Sequence, residues 1–115
     1  MSRKLTAQPL AEFELLVLLA ALRLGAEEAY TVSLADHIQE RTGRPVRRAN
    51  VYTTLQRLEA KRLVATRLSE PRPERGGKGR RLVSVTPSGL ASVRATAGAI
   101  TTMLGELDGI IGDTR

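Results

Sequence analysis

Cysteine and tryptophan are absent from this 115-residue chain, and histidine occurs once, as His37. Without cysteine there can be no disulfide, no thiolate metal site and no thiol nucleophile, and nothing points to an oxidising compartment. A lone histidine on a short helix is ordinarily a packing or surface residue, and no clustered inward carboxylates accompany it. No acid–base pair or metal set can therefore be assembled, and neither catalysis, a cofactor nor a bound metal is expected. Aromatics are limited to Phe13, Tyr30 and Tyr52, too few for the exposed stacking platforms that RNA-binding modules use. The one strongly apolar run, Leu15 to Leu22, is far short of the roughly 20 residues needed to cross a bilayer. No small-residue cleavage site follows it. A soluble cytoplasmic protein with no membrane partner, folded as one modest domain, is the expectation.

What the chain has in excess is positive charge in one place. Residues 41–81 hold thirteen Lys and Arg against Glu59, Glu70 and Glu74, whereas residues 1–40 and 82–115 each carry more acids than bases. A polyanion is the natural partner for such a block.

Local patterns order the chain as follows. A first helix is expected from Pro9 to about Leu24, with Glu12 and Glu14 complementing its N-terminus and Gly25 ending it. Its centre is apolar all round and must be covered on more than one side. A second, short helix is expected to open at Ser33, through a capping box with Asp36, and to end at Gly43. A third should run from Arg47 or Arg48 to Arg62. Here Val51, Leu55 and Leu58 form a buried stripe. A second stripe of Arg47, Asn50, Thr54, Arg57 and Lys61 contains no acid. A merely solvated face usually mixes signs, because i, i+4 Glu–Lys pairs stabilise a helix. A face of Arg, Asn, Thr and Lys offers the side chains that bond phosphates and base edges, so double-stranded DNA is the expected partner.

Two strands follow by alternation, Val64–Ser69 and Arg80–Thr86. The segment between them is rich in Pro, Gly, Arg and Lys. It reads as an exposed, flexible basic tip of a β-ribbon and lacks the spacing of a nucleotide-binding loop. The last helix opens at Thr86-Pro87 and runs to about Ile111, roughly 37 Å at 1.5 Å per residue. Leu90, Val93, Ala97, Ile100, Leu104, Leu107 and Ile111 repeat at alternating intervals of three and four, a heptad seam. Part of that seam can pack on the first helix. The remainder is apolar surface that a small domain has little means to cover, which favours a homodimer.

The order helix, helix, basic helix, β-ribbon, long helix is that of a winged helix-turn-helix. The sequence also resembles the PadR-like family of transcriptional regulators. The resemblance rests on Ala49-Asn50-Val51-Tyr52-Thr53-Thr54-Leu55-Gln56-Arg57-Leu58-Glu59 with Leu63-Val64, on Glu70 to Gly77, and on Val85-Thr86-Pro87-Ser88-Gly89. Glu27-Glu28-Ala29-Tyr30 and Glu40-Arg41-Thr42-Gly43 extend it over nearly the whole chain. Arg62 stands where the family usually has glycine, Arg47 where it often has a small or polar residue, and Leu82 and Val83 where it favours aromatics.

The resemblance implies a mainly α fold with a small β-ribbon, in which residues 1–86 form the DNA-binding domain and residues 87–115 a dimerisation helix packed on it. It implies that Asn50, Thr53, Thr54 and Arg57 lie near base edges or adjacent phosphates. Arg47, Arg48, Tyr52 and Lys61 would hold the backbone, and Arg72, Arg75 and Lys78 on the wing would reach phosphates or the minor groove. A homodimeric repressor on an inverted-repeat operator follows, released by a small-molecule effector if one exists; no aromatic stacking pocket built on tryptophan can be carried over. The alternative is a nucleoid-type or protein-interaction module without sequence preference.

Overall fold

The computed structural model describes residues 7–70 and 79–111, in the order α1 (Glu12–Leu24), α2 (Thr31–Thr42), α3 (Arg48–Ala60), β1 (Val64–Leu68), β2 (Arg81–Val85) and α4 (Pro87–Ile111). The fold is mainly helical with one two-stranded antiparallel sheet and a long C-terminal helix.

The helix starts differ from expectation, and the caps explain why. α1 begins three residues after Pro9, because the Glu14 carboxylate accepts the Ala11 backbone N–H at 2.9 Å and makes Ala11 the last non-helical residue. α2 begins at Thr31, ahead of the expected Ser33. Ser33 serves as the third helical residue: its hydroxyl oxygen accepts the Tyr30 N–H at 3.0 Å while its proton goes to the Glu28 carbonyl at 2.6 Å. Gly43 closes α2 in the left-handed conformation, φ 76°, its N–H bonded to Gln39 O. α3 ends at Ala60, and Arg62, where the resemblance implies a glycine, takes the left-handed conformation, φ 64°. That turn sends the Leu63 N–H back to Leu58 O and starts β1.

The two strands pair Val64 with Val85, Thr66 with Val83 and Leu68 with Arg81. The Val83 N–H also reaches Ala29 O at 2.8 Å, so the approach to α2 lies along the outer edge of β2. Thr86 caps α4, accepting the Gly89 N–H at 3.0 Å and donating to Arg62 O at 2.8 Å. A side chain at Gly89 would collide with the Leu63 carbonyl, so only glycine lets α4 start against the turn after α3.

One core joins α1, α2, α3 and the inner face of the sheet: Val17, Leu18, Leu34, Val51, Leu58, Leu63 and Val83 are almost fully buried. Only the first turns of α4 join it. Val93, assigned from sequence to the seam between subunits, is 5% exposed and packed within the chain's own core. Leu90 and Ala97 are half-buried. Beyond them Ile100, Met103, Leu104 and Leu107 stand 40–65% exposed. No described helix is long and apolar enough to cross a membrane.

Candidate nucleic-acid interface

α3 is fixed on its inner side by Val51, Thr54, Leu55 and Leu58, all buried. With successive residues about 100° apart, the outermost positions are then Ala49, Thr53, Gln56 and Ala60, flanked by Asn50 and Arg57. All six are exposed. The acid-free stripe read from the sequence is rotated from this direction towards α1, which takes one of its members off the surface. Thr54 is only 5% exposed and faces the core. Lys61, still partly exposed, is ion-paired: its ammonium donates to the Glu14 carboxylate at 2.8 Å.

Gln56, at the centre of the outer face, lies off the acid-free stripe, about 100–140° of helical turn from most of its members. The signal for it in the sequence is the direction opposite Val51, Leu55 and Leu58. Glutamine pairs bidentately with adenine as readily as asparagine does.

The Glu14 carboxyl experiences opposing influences. Burial disfavours its charged form, but the Lys61 hydrogen bond, the Ala11 N–H and the positive charges of Lys61 and Arg57 outweigh it, holding the group below the ordinary carboxylate range. The pair pins the C-terminal end of α3 to the start of α1.

The other end of α3 is open. Arg47 precedes the helix with no side-chain cap, and Arg47, Arg48, Ala49 and Asn50 are all exposed. The first-turn N–H groups and the positive end of the helix dipole thus meet two guanidinium groups, a combination that attracts phosphate. The preceding turn is held in place by Arg44, which grips Glu12 through both oxygens at 3.0 and 3.3 Å, and by the Val46 N–H on Gln39 Oε1.

Tyr52 is half-exposed and looks towards the sheet, across an open pocket of about 360 Å³ that Gln56, Glu59, Thr66 and Arg81 also line. Across it Arg81 donates to the Thr66 hydroxyl, which donates to Glu59, each at 3.0 Å. Glu59, the helix's one acid, is therefore turned away from the outer face and employed in bracing helix against sheet. At the base of the ribbon Arg80 lies 4.4 Å over the Tyr30 ring and Arg67 pairs with Glu27 at 3.1 Å. Arg72, Arg75 and Lys78 lie outside the described residues, as does the side chain of Ile111.

A family model described as "Transcriptional regulator PadR-like family" matches residues 18–95, a span that contains α2, α3 and both strands. No curated protein matches the sequence. Among solved structures, a PadR family transcriptional regulator from Eggerthella lenta is 25% identical with a TM-score of 0.63, over 90% of this chain and 88% of that one. A PadR-like regulator from Bacillus cereus is 19% identical with a TM-score of 0.64, over 83% and 89%. BpsR from Bordetella bronchiseptica, whose DNA binding is regulated by 6-hydroxynicotinic acid, is 22% identical with a TM-score of 0.63, over 94% and 73%.

Proposed function

This chain belongs to the PadR-like family of transcriptional regulators, a family of DNA-binding regulators and not of enzymes, and on that premise we propose that it is a homodimeric, sequence-specific repressor acting on an inverted-repeat operator. The observation that carries the reading is the exposed outer face of α3 beside an uncapped, cationic helix start. In this proposal the N-terminal half of α3 enters the major groove. Asn50, Thr53, Gln56 and Arg57 face base edges, and Arg47, Arg48 and the first backbone N–H groups hold phosphates. Tyr52, on the flank towards the sheet, contacts the backbone of the same strand. Arg72, Arg75 and Lys78, by their position between the two strands in sequence, extend the phosphate contacts.

Residues 1–86 supply the reading head and residues 87–115 the pairing element. Exposure of Ile100, Met103, Leu104 and Leu107 on one projecting helix supports a second copy as its cover. Two-fold pairing places two α3 helices on half-sites about one turn of DNA apart. Repression follows where the operator overlaps a promoter, and a small-molecule effector relieves it.

The test is to select bound fragments from random duplex DNA and then compare the winner with an unselected duplex. Gln56→Ala and Thr53→Ala are expected to lower affinity for the selected site about tenfold each, from roughly 1–3 kcal/mol per base contact, and to leave affinity for unselected DNA unchanged. Equal affinity of the unmodified protein for both duplexes would favour the non-specific, nucleoid-type alternative.

A further inference from the structure

The β-ribbon is seated firmly only at its base. Leu63, Val64 and Val83 are buried in the core, but from Thr66 outward the ribbon faces α3 across the open pocket of about 360 Å³, and Leu68 is 66% exposed. Among the described residues, one line of side-chain hydrogen bonds crosses that gap. Arg81 on β2 donates to the Thr66 hydroxyl oxygen, and Thr66 on β1 donates its own proton to Glu59 on α3, each at 3.0 Å. A hydroxyl accepts and donates at once, which is what joins a guanidinium to a carboxylate here. The ribbon's other ties run to the segment before α2: the Val83 N–H to Ala29 O at 2.8 Å, Arg67 to Glu27 at 3.1 Å, and Arg80 over the Tyr30 ring at 4.4 Å.

We propose that this relay sets the angle between the ribbon and α3, with Thr66 as its positioning residue, and thereby fixes the length of duplex over which one subunit makes its contacts. The second half rests on the DNA-binding reading. Apolar packing at the base has no preferred direction, so it resists separation more than rotation. A two-stranded ribbon also twists over a wider range than a broad sheet. Leverage decides how much this matters. Five residues at about 3.3 Å each make a lever of roughly 17 Å, so a rotation of about 10° at the base moves the far end by roughly 3 Å. Duplex DNA advances about 3.4 Å per nucleotide along each strand. Loss of the relay therefore shifts the ribbon's contacts by about one nucleotide relative to those of α3, or blurs them over that range.

The experiment compares the full chain with its variants Thr66→Val and Thr66→Ser. Valine keeps the shape and strand preference of threonine, so the fold is retained, but its side chain can neither accept nor donate. Serine restores both bonds. Without DNA, residual dipolar couplings are measured for the amides of β1, β2 and α3. Expected for Thr66→Val are couplings unchanged in α3 and rotated or reduced in both strands, with the parent pattern back in Thr66→Ser. Strand couplings that overlay the parent's, or that serine fails to restore, would overturn the relay. On the selected operator, hydroxyl-radical footprints of the parent and Thr66→Ser should coincide. Thr66→Val should keep the protection within each half-site and lose the protection flanking it, or displace it by about one nucleotide. An unchanged footprint beside altered couplings would confine the relay to the free protein and overturn its part in recognition. If the parent protects no duplex, the regulator reading falls, while the couplings still decide the relay.

Discussion

At the scale of single residues, Glu14 serves two interfaces at once. One carboxylate oxygen ends the chain before α1, and the other holds Lys61 at the far end of α3. Its folded-state pKa lies below the ordinary value, so the pair's contribution is complete above the unfolded carboxylate range, near about 4.3, and is lost as pH falls through the lower folded value. Chemical denaturation from pH 7 downwards should show the advantage of the parent over Glu14→Gln shrinking in acid. Lys61→Met at neutral pH should cost about 2 kcal/mol, below the roughly 3–5 of fully buried pairs because Lys61 is more than a third exposed. Lys61 is consequently a poor probe of DNA contact, since charge reversal there would disturb the fold first. Arg62 is a second case. A non-glycine residue in the left-handed region costs roughly 1–2 kcal/mol, and glycine loses part of that gain through greater freedom when unfolded. Arg62→Gly should raise stability by about 0.5–1 kcal/mol in urea melts; a decrease would mean that the arginine side chain stabilises the turn more than the backbone strains it.

At the scale of elements, α4 divides in function along its length. Its N-terminal turns are anchored by Thr86, by the close approach at Gly89, and by Thr96, whose hydroxyl accepts the Leu10 N–H at 3.2 Å. Its C-terminal half presents Ile100, Met103, Leu104 and Leu107 to solvent. Ile100→Ser/Leu104→Ser should thus leave the domain's own stability nearly unchanged while converting a dimer to monomers in sedimentation experiments. The same variant should weaken operator binding, because each monomer would hold one half-site alone. A variant that still sediments as a dimer would move the interface elsewhere. The seam's heptad period was legible in the sequence, including Ile100, Leu104 and Leu107. Where the chain's own core ends along that seam was not, because Leu90 and Val93 carry the same pattern as the residues beyond them. Met103 falls off the strict heptad while sharing the exposed face.

At the scale of the whole molecule, charge is separated along the chain. Residues 41–81 concentrate the cations, and of these Arg44, Lys61 and Arg67 are spent on ion pairs with Glu12, Glu14 and Glu27. The acids of the first third thereby brace the basic region from behind. If about six phosphates are neutralised per dimer, log K should fall against log salt with a slope near about −5. Fluorescence anisotropy between low and moderate salt measures it, and a slope near zero would remove electrostatics from the mechanism. Arg47→Ala should flatten that slope by about two per dimer, at roughly 0.9 per phosphate contact.

Periodicity, caps and charge are local properties, and they were enough for four helices, a β-ribbon, the Thr86-Pro87 start of α4, the Gly43 stop and the basic helix. Each depends on residues within a turn or two of one another. What no local pattern could decide is which side of α3 its neighbours close over. Thr54 reads as a polar surface residue until the core closes over it, and Lys61 as a free cation until Glu14, 47 positions earlier, arrives beside it. The start of α2 moved because Ser33 answers to Glu28 and Tyr30 at once. Burial and pairing are long-range, and they turned a stripe of residues in the sequence into a particular face of the protein.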